Sequence, residues 1–405
     1  MYTILRGKNT GLYGQEIDFA QRLIQTPSTS LKESGVADCI EREMQDIGYD
    51  QVHRDDFGNV IGTMLGHEAA PTILLNSHMD TVNPYTGGVW QAPPYNGKVD
   101  GDQLHGEGAA DCKGGLAAQV YTGALLQRSL LPLRGNLVVT ATVAEENGAS
   151  IGMRGLLEHT LPELGLMPTY AILGEPTSLG IYYGHDGWME VDICIDGSAT
   201  ETLRDATRTI TEDYTETCTL PSWTEIREVG PILHAGSGRS CQTLHMAHRV
   251  VEGKQATAVL EEIDHHVQLA VRPLPDIHAA VAVHKEKQRL QNGRMVTVRH
   301  TSNAWTTDPF NRLIERARQA LAAADCEVRT GKWKLGRLGM GTAGAMLVNE
   351  FGIPTIGYGP GNEDQAHASD EHVACSDIQQ AVYGTASIVH ALIGVPVCGW
   401  TTDEI

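Results

Sequence analysis

The chain has 405 residues, more than one hydrophobic core ordinarily organises, so two domains are expected. Lys and Arg number 30 against 50 Asp and Glu, a formal charge of −20. No basic run is available to neutralise phosphates, which argues against nucleic acid as a partner. Hydrophobic residues make up 41%, yet no apolar run reaches the ~18 residues a membrane span needs. The composition is that of a soluble globular protein.

The first residues, MYTILRGKNTGLYGQEIDFA, lack a basic segment followed by an apolar one, so no signal peptide and a cytoplasmic location are expected. Helical spacing covers 14–25 and returns at 33–48, where Gly48 supplies a C-terminal stop. A short strand at 58–64 precedes the apolar run TILLNS (72–77). Residues 114–130 read as a helix, NLVVTATV (136–143) as a buried strand and YAILG (170–174) as another. The middle section changes character. WMEVDICID (188–196) and HVQLAVRPLP (266–275) alternate as half-exposed strands should, and 199–210 has helical spacing. Beyond it, 310–324 reads as a helix, GIPTIGYG (352–359) as a buried strand, and 376–394 as a closing helix with a serine cap. Apolar strands alternating with helices predict an α/β fold with both sheet faces covered. The expected organisation is a catalytic domain in two parts, 1–184 and 299–405, around a smaller α+β insertion at 185–298. Eight cysteines (Cys39, Cys112, Cys194, Cys218, Cys241, Cys326, Cys375 and Cys398) show no CxxC pair and read as buried thiols of a reducing compartment.

Residues suited to metal chemistry stand just past each buried strand. TILLNS leads into His78 and Asp80, NLVVTATV into Glu145 and Glu146, YAILG into Glu175, and GIPTIGYG into a loop carrying His367. Asp111 opens a glycine-rich turn before a helix. Ligands of open α/β sheets gather beyond the carboxyl ends of the strands. Imidazoles and carboxylates without thiolate suit zinc, manganese or cobalt. Two His and three carboxylates suffice for two ions sharing a bridge, able to polarise a carbonyl and hold a hydroxide. Such a hydroxide needs a base that is not itself a ligand. One of Glu145 and Glu146 is thus expected on metal, and its neighbour on the proton.

The motifs SHMDTV (77–82), GEGAADCKGG (106–115), AEENG (144–148), GEPTS (174–178) and AHASDEH (366–372) resemble the dinuclear metallopeptidase family of aminoacylase, glutamate carboxypeptidase and succinyl-diaminopimelate desuccinylase. The resemblance implies a zinc-peptidase-like catalytic domain with a mixed sheet between helices, and a lid domain that also forms homodimers or larger homo-oligomers. It implies that His78 and Glu175 hold one divalent ion, Glu146 and His367 the other, and that Asp111 bridges them. Glu145 would be the general base and Asp80 would orient the His78 imidazole. A cis peptide is implied between Asp111 and Cys112, with Cys112 a packed thiol.

The lid departs from the pattern. Where the family carries a histidine in GxSxHxS, this chain reads DGSATETLRD (196–205), with Glu201 near the histidine's place. The segment leading into the lid is GHDGW (184–188), and the family's Asn-Val-Ile-Pro segment is replaced around TAVLEEID (257–264). An oxyanion donor typically contributes ~2.7–4 kcal/mol to a barrier; His234, His245 and Arg239 are the candidate substitutes. His105, His185 and His372 lie near the motifs without an assigned role. The reading that follows is a metal-dependent hydrolase cleaving a C–N bond of a small carboxylate-bearing substrate, an N-acyl amino acid or dipeptide-like amide. A second reading is an aminohydrolase that deaminates an aromatic amino acid such as 5-nitroanthranilate, and a third is a metal-binding scaffold.

Overall fold

A computed structural model describes residues 1–84, 88–147, 150–216, 224–234, 238–290, 292–333 and 341–395. Cys218, Cys398 and the Gly148 that closes AEENG lie outside them. The larger sheet has eight strands, and its middle is built from the four apolar runs that the sequence singles out. In spatial order these are Asn136–Thr142, Thr72–His78, Tyr170–Leu173 and Thr355–Gly357, each parallel to the next. Antiparallel strands Val60–Met64 and Gln51–Arg54 extend one side. Because the four central strands share a direction, their carboxyl ends open on one edge.

Alternation along these strands feeds two cores. Ile73, Leu75, Leu137 and Val139 pack under helices that include Gly114–Arg128 and Cys375–Ile393. Leu74, Val138, Ala171 and Leu173 face Met153, Leu156, Leu161 and Leu347 on the other side. Both faces are apolar, which is why the strands read as continuous hydrophobic runs.

A second, antiparallel sheet centres on Gly187–Gly197, flanked by Ser240–Val250 and His278–Val283. Helices Thr200–Glu216 and Ala256–Val271 cover one of its faces, with Met189, Val191, Ile193 and Ile195 meeting Leu203, Val259, Ile263 and Val267. The architecture is a mixed α/β catalytic domain plus a lid. Among the described residues no helix is long and apolar enough to cross a membrane.

Three local expectations fail. The segment 266–275 is not a strand: its first half ends the helix Ala256–Val271. Val259, Ile263, Val267 and Val271 recur every fourth residue and pack as one stripe, so the alternation seen in HVQLAV is the tail of a helical pattern. The long strand Ser240–Val250, whose SCQTLHMAHRV also alternates, takes the expected place beside Gly187–Gly197. The closing helix lacks its serine cap. Asp102 caps it, accepting the Ser376 N–H at 3.0 Å, while the Cys375 N–H donates to the Asp102 carbonyl at 2.7 Å. Among the described cysteines, only Cys112 and Cys375 are buried, and Cys194 is exposed.

Candidate metal centre

The strand Thr72–His78 is buried throughout and delivers His78 to the open edge. The His78 Nδ1 lies 2.9 Å from the main-chain oxygen of Asp80. A carbonyl only accepts, so Nδ1 carries a hydrogen and Nε2 is the ring nitrogen left for the site. Nε2 lies 3.1 Å from Asp111 Oδ1 and 3.9 Å from Glu175 Oε2. The Asp80 carboxylate is farther from the ring, 3.6 Å from Nδ1. Asp80, expected to orient the imidazole, meets it chiefly through its main-chain carbonyl, while its carboxylate is engaged elsewhere.

It is engaged by the acidic pair. Asp80 Oδ1 accepts the Glu145 N–H at 3.1 Å, and Oδ2 accepts the Glu146 N–H at 3.0 Å and the Ser30 hydroxyl at 2.7 Å. The strand ends at Thr142, and Ala144 turns with φ +54°. The two acids therefore separate in a turn, not by alternation along extended backbone. Glu33 accepts the Ala144 N–H at 3.1 Å, so three consecutive N–H groups are fixed by two buried carboxylates.

Glu146 meets His367, whose Nε2 lies 2.9 Å from its carboxylate and 3.6 Å from Asp111 Oδ2. Asp111 thus stands between His78 on one side and His367 on the other. Ligand atoms of His78, Asp111, Cys112 and Glu175 lie within 4.8 Å of one another, and so do those of Asp111, Glu146 and His367. The peptide joining Asp111 to Cys112 is cis. The Cys112 thiol donates to the Gly174 carbonyl at 3.3 Å, and burial raises its pKa well above the ordinary value, so it is a packed neutral thiol. Gly115 permits this closeness: a Cβ there would stand 1.7 Å from the Gly174 carbonyl oxygen.

Charge supplies the fit test for metal. Burial pushes Glu175 up to about 8; His78 opposes the shift, and Asp111 and Glu146 add to it. His367 is pushed up to about 10 because Glu146 and Asp111 outweigh the opposing effect of burial. Acids and base both hold their protons too tightly, which marks a cluster short of positive charge. An all-nitrogen-and-oxygen donor set short of positive charge fits a pair of divalent ions. His78 and Glu175 could hold one, Glu146 and His367 the other, with Asp111 shared.

Glu145 stands apart from both triads. The Ser150 hydroxyl approaches it at 3.4 Å, and burial raises its pKa well above the ordinary value. It lines a pocket of about 30 Å³ with Glu146, Trp188 and Thr342, more than the ~10–15 Å³ that one water needs. A cleft of about 630 Å³ shares Ser150 and Thr342 with this pocket and carries Arg154, Arg294 and Arg299.

Three buried groups escaped the sequence reading. Glu371 accepts the N–H groups of Gly108, Ala110 and Asp111 at 2.7, 2.7 and 2.9 Å, which fixes the turn bearing Asp111. Lys113 is fully buried with its Nζ on the carbonyls of Leu23 and Thr26. Glu107 is pushed up to about 7, first by burial. All three lie inside the GEGAADCKGG and AHASDEH stretches, where unassigned charges were the available signal.

The lid candidates for an oxyanion donor have partners within the lid. Glu201 is exposed in the first turn of Thr200–Glu216. Arg239 pairs with Asp196 at 2.8 Å, His234 with the Ser240 hydroxyl at 2.8 Å, and His245 with Asp192 at 2.9 Å. His185 is buried with Nε2 2.8 Å from both the Thr342 hydroxyl and the Trp305 indole nitrogen. His105 and His372 pack against each other, 5.3 Å between ring centres.

A sequence profile of Peptidase family M20/M25/M40 matches residues 74–391. The uncharacterized protein YgeY of Escherichia coli is 26% identical over 375 residues, 87% of this chain and 88% of that one. Among solved structures, the dipeptidase Dug1p of Saccharomyces cerevisiae superposes with a TM-score of 0.75 at 13% identity, covering 96% of this chain and 98% of its own. The Bacillus subtilis YXEP protein, a dinuclear metal binding peptidase, superposes at 0.68 with 16% identity, covering 95% and 99%. At those identities the two structures speak for the fold alone.

Proposed function

Since the chain belongs to Peptidase family M20/M25/M40, a family of metal-dependent hydrolases, we propose that it hydrolyses the C–N bond of a small carboxylate-bearing amide. An N-acyl amino acid or a dipeptide is the substrate class. The observation that carries this reading is the division of the acidic pair: Glu146 is bound to His367 beside Asp111, while Glu145 faces a water-sized pocket. A base that is not a ligand is what hydrolysis requires.

Two divalent ions bound here supply Lewis acidity, polarising the carbonyl under attack and acidifying the attacking water. The chain's residues do the rest. Asp80 and Glu33 fix the main chain of the acidic turn, so the Glu145 carboxylate is preorganised. Glu145 takes the proton of the attacking water on a carboxylate oxygen and returns it to the leaving nitrogen. Its buried setting, which favours the protonated form, suits the second half of that task. Trp188, on the lid strand Gly187–Gly197, contributes an apolar wall to the pocket. Arg294 and Arg299, in the adjoining cleft, are cations suited to a substrate carboxylate.

Membership of Peptidase family M20/M25/M40 supports the amide class. The test is a panel of N-acyl amino acids and dipeptides assayed with metal-loaded wild type and Glu145→Gln. We expect turnover on at least one class, and a loss of at least ~100-fold in kcat in the variant with its metal content kept. Full activity in Glu145→Gln would overturn the assignment of the base.

A further inference from the structure

The lid sheet has a face that its two helices leave uncovered. On it, Glu190 and Asp192 project from Gly187–Gly197 opposite His245 of Ser240–Val250, the register pairing Asp192 with His245. His284 and His300 close the group from the two ends of the hairpin Lys285–Arg289 and Met295–Arg299. Asp192 binds two rings at once, His245 Nδ1 at 2.9 Å on one oxygen and His284 Nδ1 at 2.7 Å on the other. Glu190 Oε2 lies 3.1 Å from His300 Nδ1 and 3.4 Å from His245 Nε2. Ring centres are 4.7 Å apart for His245 and His284, and 4.9 Å for His284 and His300.

We propose that this cluster binds a divalent transition-metal ion, held by Asp192, His245 and His284 with Glu190 and His300 beside them, in addition to the two at the strand edge. Imidazole with carboxylate is a donor set for zinc, cobalt or nickel. Donor atoms of a tetrahedral zinc site, with bonds of ~2.0–2.1 Å, stand roughly 3.3 Å apart; the Nδ1 atoms of His245 and His284 stand 2.9 and 2.7 Å from the Asp192 carboxylate. Two overlapping triads, Glu190 with His284 and His300 and Asp192 with His245 and His284, each bring their donor atoms within 4.8 Å.

One further observation separates a metal site from a plain hydrogen-bonded patch. The ion pairs of Glu190 and Asp192 among the described residues are all with histidines, so with neutral rings two half-buried negative charges lack a cation. The backbone is fixed for the purpose: Glu190 and His284 donate N–H groups at 2.8 Å to the His300 and Glu190 carbonyls, and His300 donates to His284 at 3.1 Å.

The position has a consequence. The hairpin rooted at His284 and His300 carries Gln288, whose side-chain oxygen accepts the Asn147 amide at 2.8 Å, one residue beyond Glu146. An ion at its root therefore holds the hairpin against the acidic turn.

The experiment counts metal in the full-length chain after stripping and dialysis against zinc, by mass spectrometry. Wild type should bind three equivalents, His284→Ala and His245→Ala two each, and a His265→Ala/His266→Ala control on the exposed helix surface three. Cobalt loading should show a visible absorption band of a tetrahedral ion that the lid variants weaken. Should the alanine variants misfold, Asp192→Asn, nearly identical in shape, decides by the same count. Lid variants that bind as much zinc as wild type would overturn the proposal and leave the strand-edge pair standing. A wild type binding one ion that His284→Ala abolishes would keep the lid site and refute the pair.

Discussion

Asp80 takes the backbone N–H of Glu146 on one carboxylate oxygen at 3.0 Å, and that of Glu145 on the other at 3.1 Å. A single buried acid thus sets the aim of both members of the pair, and its own carbonyl sets the tautomer of His78. Asp80→Asn keeps the shape but offers one acceptor oxygen where two are used, and turns an N–H group toward an N–H donor. The expected outcome is a loss of about 10–100-fold in activity or metal affinity with the fold retained, the usual cost of removing a partner that orients ligands. Steady-state kinetics and a chelator competition, with circular dichroism as the fold check, measure it; unchanged values for both would refute the role.

Glu371 supports the Asp111 turn in the same manner, accepting three N–H groups from residues 108–111. Glu371→Gln leaves one acceptor oxygen where two are used and turns an N–H group toward N–H donors. A buried polar group left unsatisfied costs ~1–3 kcal/mol, so we expect stability to fall by about 2 kcal/mol and zinc content to drop. Urea unfolding followed by tryptophan fluorescence, with metal counted on the same samples, reads both. A variant as stable as wild type would contradict the assignment.

These two residues show where the sequence stops being informative. The four central strands were legible as buried β-rich runs, and their shared direction puts His78, Glu146, Glu175 and His367 on one edge. Strand-end position carries the identity of such groups because each motif is local. What holds those groups is not local: Glu371 reaches back 263 positions to Gly108, and Asp80 65 positions to Glu145. No spacing in the chain announces either contact. The lid was legible only in part, since 266–275 alternates by chance at the end of a helix whose stripe is four-spaced. The lid cluster was not read at all, because its histidines come from Ser240–Val250 and both ends of a hairpin and meet only through strand register.

Glu16, which belongs to no group of candidate metal ligands, provides a pH test. It is fully buried, neither carboxylate oxygen has a hydrogen-bond partner, and burial pushes its pKa up to about 8. The folded chain holds this proton and the unfolded chain releases it near 4.5, so the contribution is fully present below about 4.5 and is lost as pH rises toward about 8. Glu16→Gln should raise Tm at pH 8 by several degrees relative to wild type, on the order of a few kcal/mol. At pH 4.5 the same substitution should have little effect. An equal gain at both values would show that ionisation is not the cause.

Glu201 occupies the sequence position where a lid histidine was expected, yet it is exposed at the start of Thr200–Glu216. A carboxylate cannot donate to an oxyanion unless protonated. We expect Glu201→Ala to change turnover by less than ~10-fold, against the ~100-fold or more typical of a lost oxyanion donor. A collapse of kcat with metals still bound would show that Glu201 works at the reacting centre.

The central claim is that Asp111 is shared between two ions, one with His78 and Glu175 and the other with Glu146 and His367. Anomalous diffraction from crystals grown with zinc, recorded on both sides of the zinc edge, tests it most directly. Two peaks ~3.5–4 Å apart, one beside each triad with Asp111 between them, are the result this account predicts. A single peak, or none within reach of Asp111 in zinc-saturated crystals, would contradict it.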